Sequence, residues 1–148
     1  IPDYGVEPIL LTDSHVESIH EMGGSFLGSS RGNQNIQKMA DTLERLKIDC
    51  LFTVGGDGTF RGANELYLEI KKRERKISVI GIPKTIDNDI MYIDKTFGFE
   101  TAFSQAVNAI RSGVIEAKGY PKGVALIKLM GRHSGYVTAH AALALREI

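Results

Sequence analysis

Short apolar runs alternating with helix-period segments are what most constrain this chain. Cys50–Val54 reads CLFTV, Ile77–Ile82 reads ISVIGI and Gly123–Met130 reads GVALIKLM. The first is short and continuously apolar, which suits a strand buried on both faces, and the other two read as further strands. Helical spacing lies between and after them. Ile36, Met39, Ala40, Leu43 and Leu46 form one stripe over Asn33–Lys47, with Asn33 or Asn35 near its start. Ala63, Leu66 and Ile70 form a second, ending in the charge run KKRERK, a solvated helix end with its cations near the C-terminus. Ala102, Ala106, Ala109 and Ile110 mark a third helix over Ala102–Ile115, and HSGYVTAHAALALRE reads as a fourth. This order implies an α/β fold, a mainly parallel sheet with helices on both faces. Upstream, Pro8–Leu11 reads as a short strand and Ser14 as the cap of a short helix through Met22.

In such sheets reactive groups gather at the C-terminal ends of the strands. Three unusual segments fall there: Gly55–Thr59, Pro83–Asp89 and Met130–Arg132. The first reads GGDGT. Its glycines let a ligand approach the backbone, and it opens a helix whose free N–H groups favour phosphate. Asp57 is a hard oxygen ligand able to hold Mg²⁺ against those phosphates. As a turn alone, the same segment would be a tight strand-to-helix connection with Thr59 as N-cap. In PKTIDNDI, Asp87 and Asp89 stand beside Lys84 and Thr85. One carboxylate can accept a proton from a substrate hydroxyl while the other faces a metal, although Asp-Asn-Asp is also good turn chemistry. Pro83 is expected to end the strand. In LMGRHSG, Gly131 gives backbone access and Arg132 a bidentate grip on phosphate, with Arg31 as a possible second clamp. His133 and His140, seven apart on the last helix, read as structural.

Composition excludes several classes. Eighteen Lys plus Arg balance 18 Asp plus Glu, which argues against a nucleic-acid or membrane-surface binder. No apolar run reaches the roughly 18 residues needed to span a bilayer. Cys50 is the one cysteine, so no disulfide forms within the chain and a reducing, cytoplasmic setting fits. Its place at the start of an apolar run suggests a buried thiol.

Taken together, GGSFLGSSRG, GGDGT, GIPKTIDNDI, FGFETA and KLMGRHSGY resemble the 6-phosphofructokinases, above all the ATP-dependent plant and trypanosomatid type. The resemblance runs from about Ile19 to the C-terminus. GGDGT is shared with NAD and lipid kinases; TIDND together with MGR is particular to this family. The resemblance implies phosphoryl transfer from Mg-ATP to the 1-hydroxyl of fructose 6-phosphate. It implies Asp87 as catalytic base, Thr85 as a substrate and transition-state contact, and Asp57 and Asp89 near the metal. Arg31 would lie by the transferring phosphoryl group, and Met130, Gly131 and Arg132 would line the sugar-phosphate site. Gly55, Gly56, Asp57, Gly58 and Thr59 would bind the nucleotide, with Lys84 balancing charge. Gly58 favours ATP, because pyrophosphate users carry Asp there; Lys84 points to pyrophosphate. Many bacterial members have an Arg where this chain has Lys122 and Gly123. The family chain is more than twice as long, so a fragment is implied. Residues 1–98 would belong to its nucleotide domain and 99–148 would begin its sugar-phosphate domain, within a homo-oligomer, a tetramer in the family. A pyrophosphate-dependent enzyme and a non-catalytic regulatory subunit stand as alternatives.

Overall fold

The computed structural model describes residues 8–30 and 35–145. Helix α1 (Asp13–Val16) is one turn, followed by a 3₁₀ turn over Ile19–Glu21. Helix α2 spans Ile36–Arg45, strand β1 Cys50–Gly55, helix α3 Asp57–Lys72 and strand β2 Ser78–Thr85. A two-residue strand β3 (Phe97–Gly98) leads directly into helix α4 (Phe99–Lys118), and helix α5 is Tyr136–Leu145. The sheet order is β1-β2-β3 and both pairings are parallel; α3 is the crossover from β1 to β2, whereas β2 reaches β3 through a loop without a helix.

Local chemistry fixes the boundaries. Asn35 Oδ1 accepts the Lys38 N–H at 3.0 Å and caps α2. Lys47, at φ 53°, turns the chain out of that helix, and Glu74, at φ 55°, does the same after α3. Ala40 and Leu43 of α2 close against Leu66 and Ile70 of α3. Leu51, Ile77 and Val79 pack onto this cluster from the sheet side. Arg73 then ties the two helices together through Asp41, Glu69 and Glu44, and its guanidinium is held protonated above its usual range, Asp41 contributing most. A second packing unit joins α4 to α5: Phe99, Ala106, Val137, Ala141 and Leu145 are buried there. His140 meets Phe99 edge-on at 4.9 Å and its Nδ1 donates to the Tyr136 carbonyl, a packing role.

Several sequence expectations change. Pro8–Leu11 forms no strand, and Thr12 rather than Ser14 caps α1. Gly123–Met130 also forms no strand: Val124 and Leu126 are almost fully exposed and no neighbouring backbone pairs with them among the described residues. An extended apolar run becomes a strand only when a ladder satisfies its N–H and C=O groups. β1 is not buried on both faces. Leu51 faces the core, whereas Phe52 and Val54, beside Ile80 of β2, are exposed on the other side. Cys50 is exposed rather than buried, at the outer end of that strand. Pro83 does not end β2; it pairs with Gly55 at the last step of the β1 ladder, and the strand runs on to Thr85 against β3. His133 lies in a turn before α5 rather than on it.

Candidate functional site

β1 and β2 end side by side, so the residues that follow them meet. Gly55 is buried as β1 finishes, and a Cβ there would fall on the Thr59 side chain, 2.7 Å from its Cβ. Gly56 is the N-cap of α3, its carbonyl accepting from Thr59 N at 2.9 Å and Phe60 N at 3.1 Å. Thr59 therefore sits in the first turn instead of capping it. The Asp57 and Gly58 N–H groups belong to the unpaired start of the helix, where the dipole favours an anion. Asp57 is half exposed and bonded by the guanidinium of Arg61 one turn on, with Arg61 Nε 3.0 Å from Oδ2. That hydrogen bond holds the Asp57 carboxyl below its ordinary range and raises Arg61.

The glycine loop touches the second loop directly. A Cβ on Gly56 would lie 3.3 Å from Thr85 Cβ, so the small residue permits the approach. Thr85 Oγ1 accepts the Asp87 N–H at 3.1 Å. Asn88 takes a left-handed conformation, φ 49°, and its Oδ1 accepts the Thr96 N–H at 2.8 Å. Thr96 Oγ1 donates to the Thr85 carbonyl at 2.7 Å. Asp89 and Lys84 are exposed, Lys84 on β2 opposite Phe97.

The third segment joins through one side chain. Gly131, buried at φ 134°, and Arg132, at φ 47°, make a tight turn closed by Ser134 N to Gly131 O at 2.8 Å. Ser134 Oγ donates to the Asp87 carbonyl at 2.5 Å. Met130 and Arg132 are exposed beside it. Arg31 lies outside the described residues. Among the described residues no three His, Cys, Asp or Glu side chains converge, so Asp57 and Asp89 do not form a protein-only metal cage.

The model of the Phosphofructokinase family matches residues 5–147, nearly the whole chain. The chain belongs to the phosphofructokinase family. Among curated relatives, the "ATP-dependent 6-phosphofructokinase" of Trypanosoma cruzi is 55% identical over 129 residues, covering 87% of this chain and 27% of that protein. That of Borreliella burgdorferi is 45% identical over 148 residues, covering 100% and 33%. "ATP-dependent 6-phosphofructokinase 7" of Arabidopsis thaliana is 44% identical over 145 residues, covering 98% and 30%. The chain thus spans between 27% and 33% of the length of these phosphofructokinases. Among solved structures, a pyrophosphate-dependent phosphofructokinase from Marinobacter aquaeolei superposes with a TM-score of 0.77 at 23% identity, covering 91% of this chain and 35% of that one. Phosphofructokinase from Saccharomyces cerevisiae gives 0.65 at 24% identity, covering 84% and 19%. At these identities the likeness shows the phosphofructokinase fold and no more.

Four residues of this segment escape a reading of motifs. Asn88 passes for generic turn chemistry, although Asn is one of the few residues that adopts positive φ readily. Arg61 has a legible signal, four residues after Asp57 on a helix. Thr96 and Ser134 have none, because their partners lie 11 and 47 positions away.

Proposed function

We infer that this chain is the section of an ATP-dependent 6-phosphofructokinase that moves the terminal phosphoryl group of ATP onto the 1-hydroxyl of fructose 6-phosphate. One observation carries the reading: the three loops meet at the Thr85–Asp87 segment, through the Gly56–Thr85 approach and the Ser134 hydrogen bond to the Asp87 carbonyl. The nucleotide phosphates lie against the loop Gly55, Gly56, Asp57, Gly58 and Thr59, where the Asp57 and Gly58 N–H groups at the helix start are the ones free to donate. Asp87 takes the proton from the sugar hydroxyl, with Thr85 beside the reacting oxygen. Met130, Gly131 and Arg132 hold the sugar phosphate, and Arg31 and Lys84 balance charge near the transferring group. Such transfer needs alignment and charge neutralisation more than covalent help.

Mg²⁺ fits this donor set. It keeps several waters and binds through one or two carboxylates plus substrate phosphates. Asp57, exposed at the helix start and held ionised by Arg61, would supply one carboxylate and Asp89 the second. When bound, the ion neutralises charge shared between the outer phosphate oxygens.

Gly58 supports ATP as donor. A Cβ there meets nothing within 4 Å and its φ is not positive, so neither packing nor backbone geometry asks for glycine. Glycine in a helix is disfavoured by about 1 kcal/mol relative to Ala, so its reason lies with a ligand. Room for the α-phosphate of ATP is that reason, and the curated relatives are named ATP-dependent. Lys84 favours a second reading, pyrophosphate as donor. Residues up to about 98 form the nucleotide side and those from Phe99 on the sugar-phosphate side, within a cytoplasmic homo-oligomer. No helix among the described residues is long and apolar enough to cross a membrane. The test is turnover of fructose 6-phosphate by the full-length enzyme with Mg-ATP against pyrophosphate, for wild type and Asp87→Asn. We expect ATP alone to serve, and the substitution to lower kcat by about 10²–10⁴-fold. Unchanged kcat in Asp87→Asn refutes the base assignment; turnover with pyrophosphate alone refutes the donor.

A further inference from the structure

Among the described residues Thr96 is the one buried polar side chain, 4% exposed. It lies just before β3, outside every motif of the site. A buried hydroxyl is costly unless bonded, and this one is. Its single proton goes to the Thr85 carbonyl at 2.7 Å, and its backbone N–H goes to Asn88 Oδ1 at 2.8 Å. Asn88 Nδ2 in turn donates to the Asp94 carbonyl at 3.1 Å, closing the loop between Asn88 and Thr96 on itself. Thr85 and Asn88 flank Asp87 two residues before and one after. Asp87's own N–H is taken by Thr85 Oγ1 and its carbonyl by Ser134 Oγ. The Asp87 backbone is therefore fixed on both sides, leaving its carboxylate only side-chain torsions.

We propose that Thr96 is a positioning residue for Asp87 and Thr85, acting through the Thr85 carbonyl and the Asn88 amide. The proposal rests on the reading of Asp87 as base. Thr96 touches no substrate. It holds the peptide that carries the base while β3, paired with Lys84 and Thr85, anchors the same segment to the sheet. A site built on a sheet edge is more exact than one on a free loop, and this clasp extends the sheet's rigidity past the last paired residue.

The experiment compares Thr96→Val, Thr96→Ser, Asn88→Gly and Asp87→Asn in the full-length enzyme. Thr96→Val keeps shape and backbone N–H but loses the hydroxyl bond. Asn88→Gly keeps the left-handed conformation accessible and removes the amide. Misplacing a reacting group by about 1 Å costs about 100-fold, so kcat should fall by up to that factor in Thr96→Val and in Asn88→Gly. KM for both substrates should change far less than kcat, within about threefold, since the glycine loop and Met130, Gly131 and Arg132 are untouched and only Thr85 among the binding groups is perturbed. Thr96→Ser should retain wild-type kcat. Wild-type kcat in Asn88→Gly and Thr96→Val, with only a lower unfolding midpoint, overturns the proposal. If Thr96→Val does not fold, Asn88→Gly decides alone. Asp87→Asn run alongside separates the two failures. An inactive Asp87→Asn with unimpaired clasp variants removes the clasp and spares the base, whereas full turnover in Asp87→Asn removes both.

Discussion

Replacing Gly58 by Asp should separate stability from donor use. Gly58 is the second residue of α3, in an exposed first turn, and a side chain there meets nothing within 4 Å. The folded protein therefore gains no clash. Leaving glycine recovers part of its helix penalty of about 1 kcal/mol, and a carboxylate in the first turn gains about 0.3–1 kcal/mol from the helix dipole. The unfolding midpoint should hold or rise. A nucleotide laid over the same turn brings a phosphate to within about 4 Å of the new carboxylate, where like charges repel by about 1 kcal/mol in water and about 4 kcal/mol near a protein surface. At about 1.4 kcal/mol per decade, kcat/KM for ATP falls between about fivefold and about 1,000-fold. The loss should shrink at high salt, as repulsion between exposed charges does. Steady-state kinetics of the full-length enzyme with varied Mg-ATP, alongside thermal melts, measures both. A drop below fivefold with an unchanged midpoint would refute the argument from steric and electrostatic room. A fall in activity that tracks a fall in stability would refute the claim that the fold tolerates this side chain.

Other outcomes follow from packing and charge. Leu66→Ala, at a core position 1% exposed, should cost about 2–5 kcal/mol in urea unfolding, a cavity that α2 and β1 cannot fill. Gly81→Ala would set a Cβ 2.8 Å from the Phe60 ring and should cost about 1–3 kcal/mol by overpacking; pairing it with Phe60→Leu should recover most of the loss. Arg61→Gln should let the Asp57 carboxyl titrate at a higher pH, nearer its ordinary range, as read by carboxyl NMR. Because Arg61 depresses that pKa, its stabilisation is complete above the unfolded carboxylate value and is lost as pH falls through the folded one. The variant should therefore lose that acid-side dependence while changing little at neutral pH, the pair being solvent-exposed.

Much of the candidate site was legible because its proposed chemistry is local. GGDGT, TIDND and MGR each need only neighbouring residues to be read as backbone access, carboxylates and a phosphate grip. The structure brings GGDGT and TIDND together at the ends of β1 and β2, whereas the MGR turn follows no strand and joins them through Ser134. What joins them was not legible. Thr96 to Thr85 and Ser134 to Asp87 are contacts between distant positions, and a lone Thr or Ser has no pattern that names its partner. The extension of β2 through Pro83 escaped for a related reason. Proline removes one donor, but the residue stands where the β1 ladder stops and the β3 ladder starts.

The strand errors share one cause. The apolar runs at Cys50–Val54 and Ile77–Ile82 became strands because each finds the other, in register from Cys50 with Ser78 to Gly55 with Pro83. The runs at Pro8–Leu11 and Gly123–Met130 have comparable composition and no ladder among the described residues. The second still alternates as a strand would: Ile127 lies against Gly113 of α4, whereas Val124 and Leu126 point to solvent. Periodicity in sequence thus encodes a side chain's demand for burial on one face. It does not encode the backbone's demand for a partner, which only a neighbouring strand can meet. The same distinction explains β1, whose continuous apolar run reads as two buried faces while α2 and α3 cover only the Leu51 side and leave Phe52 and Val54 exposed.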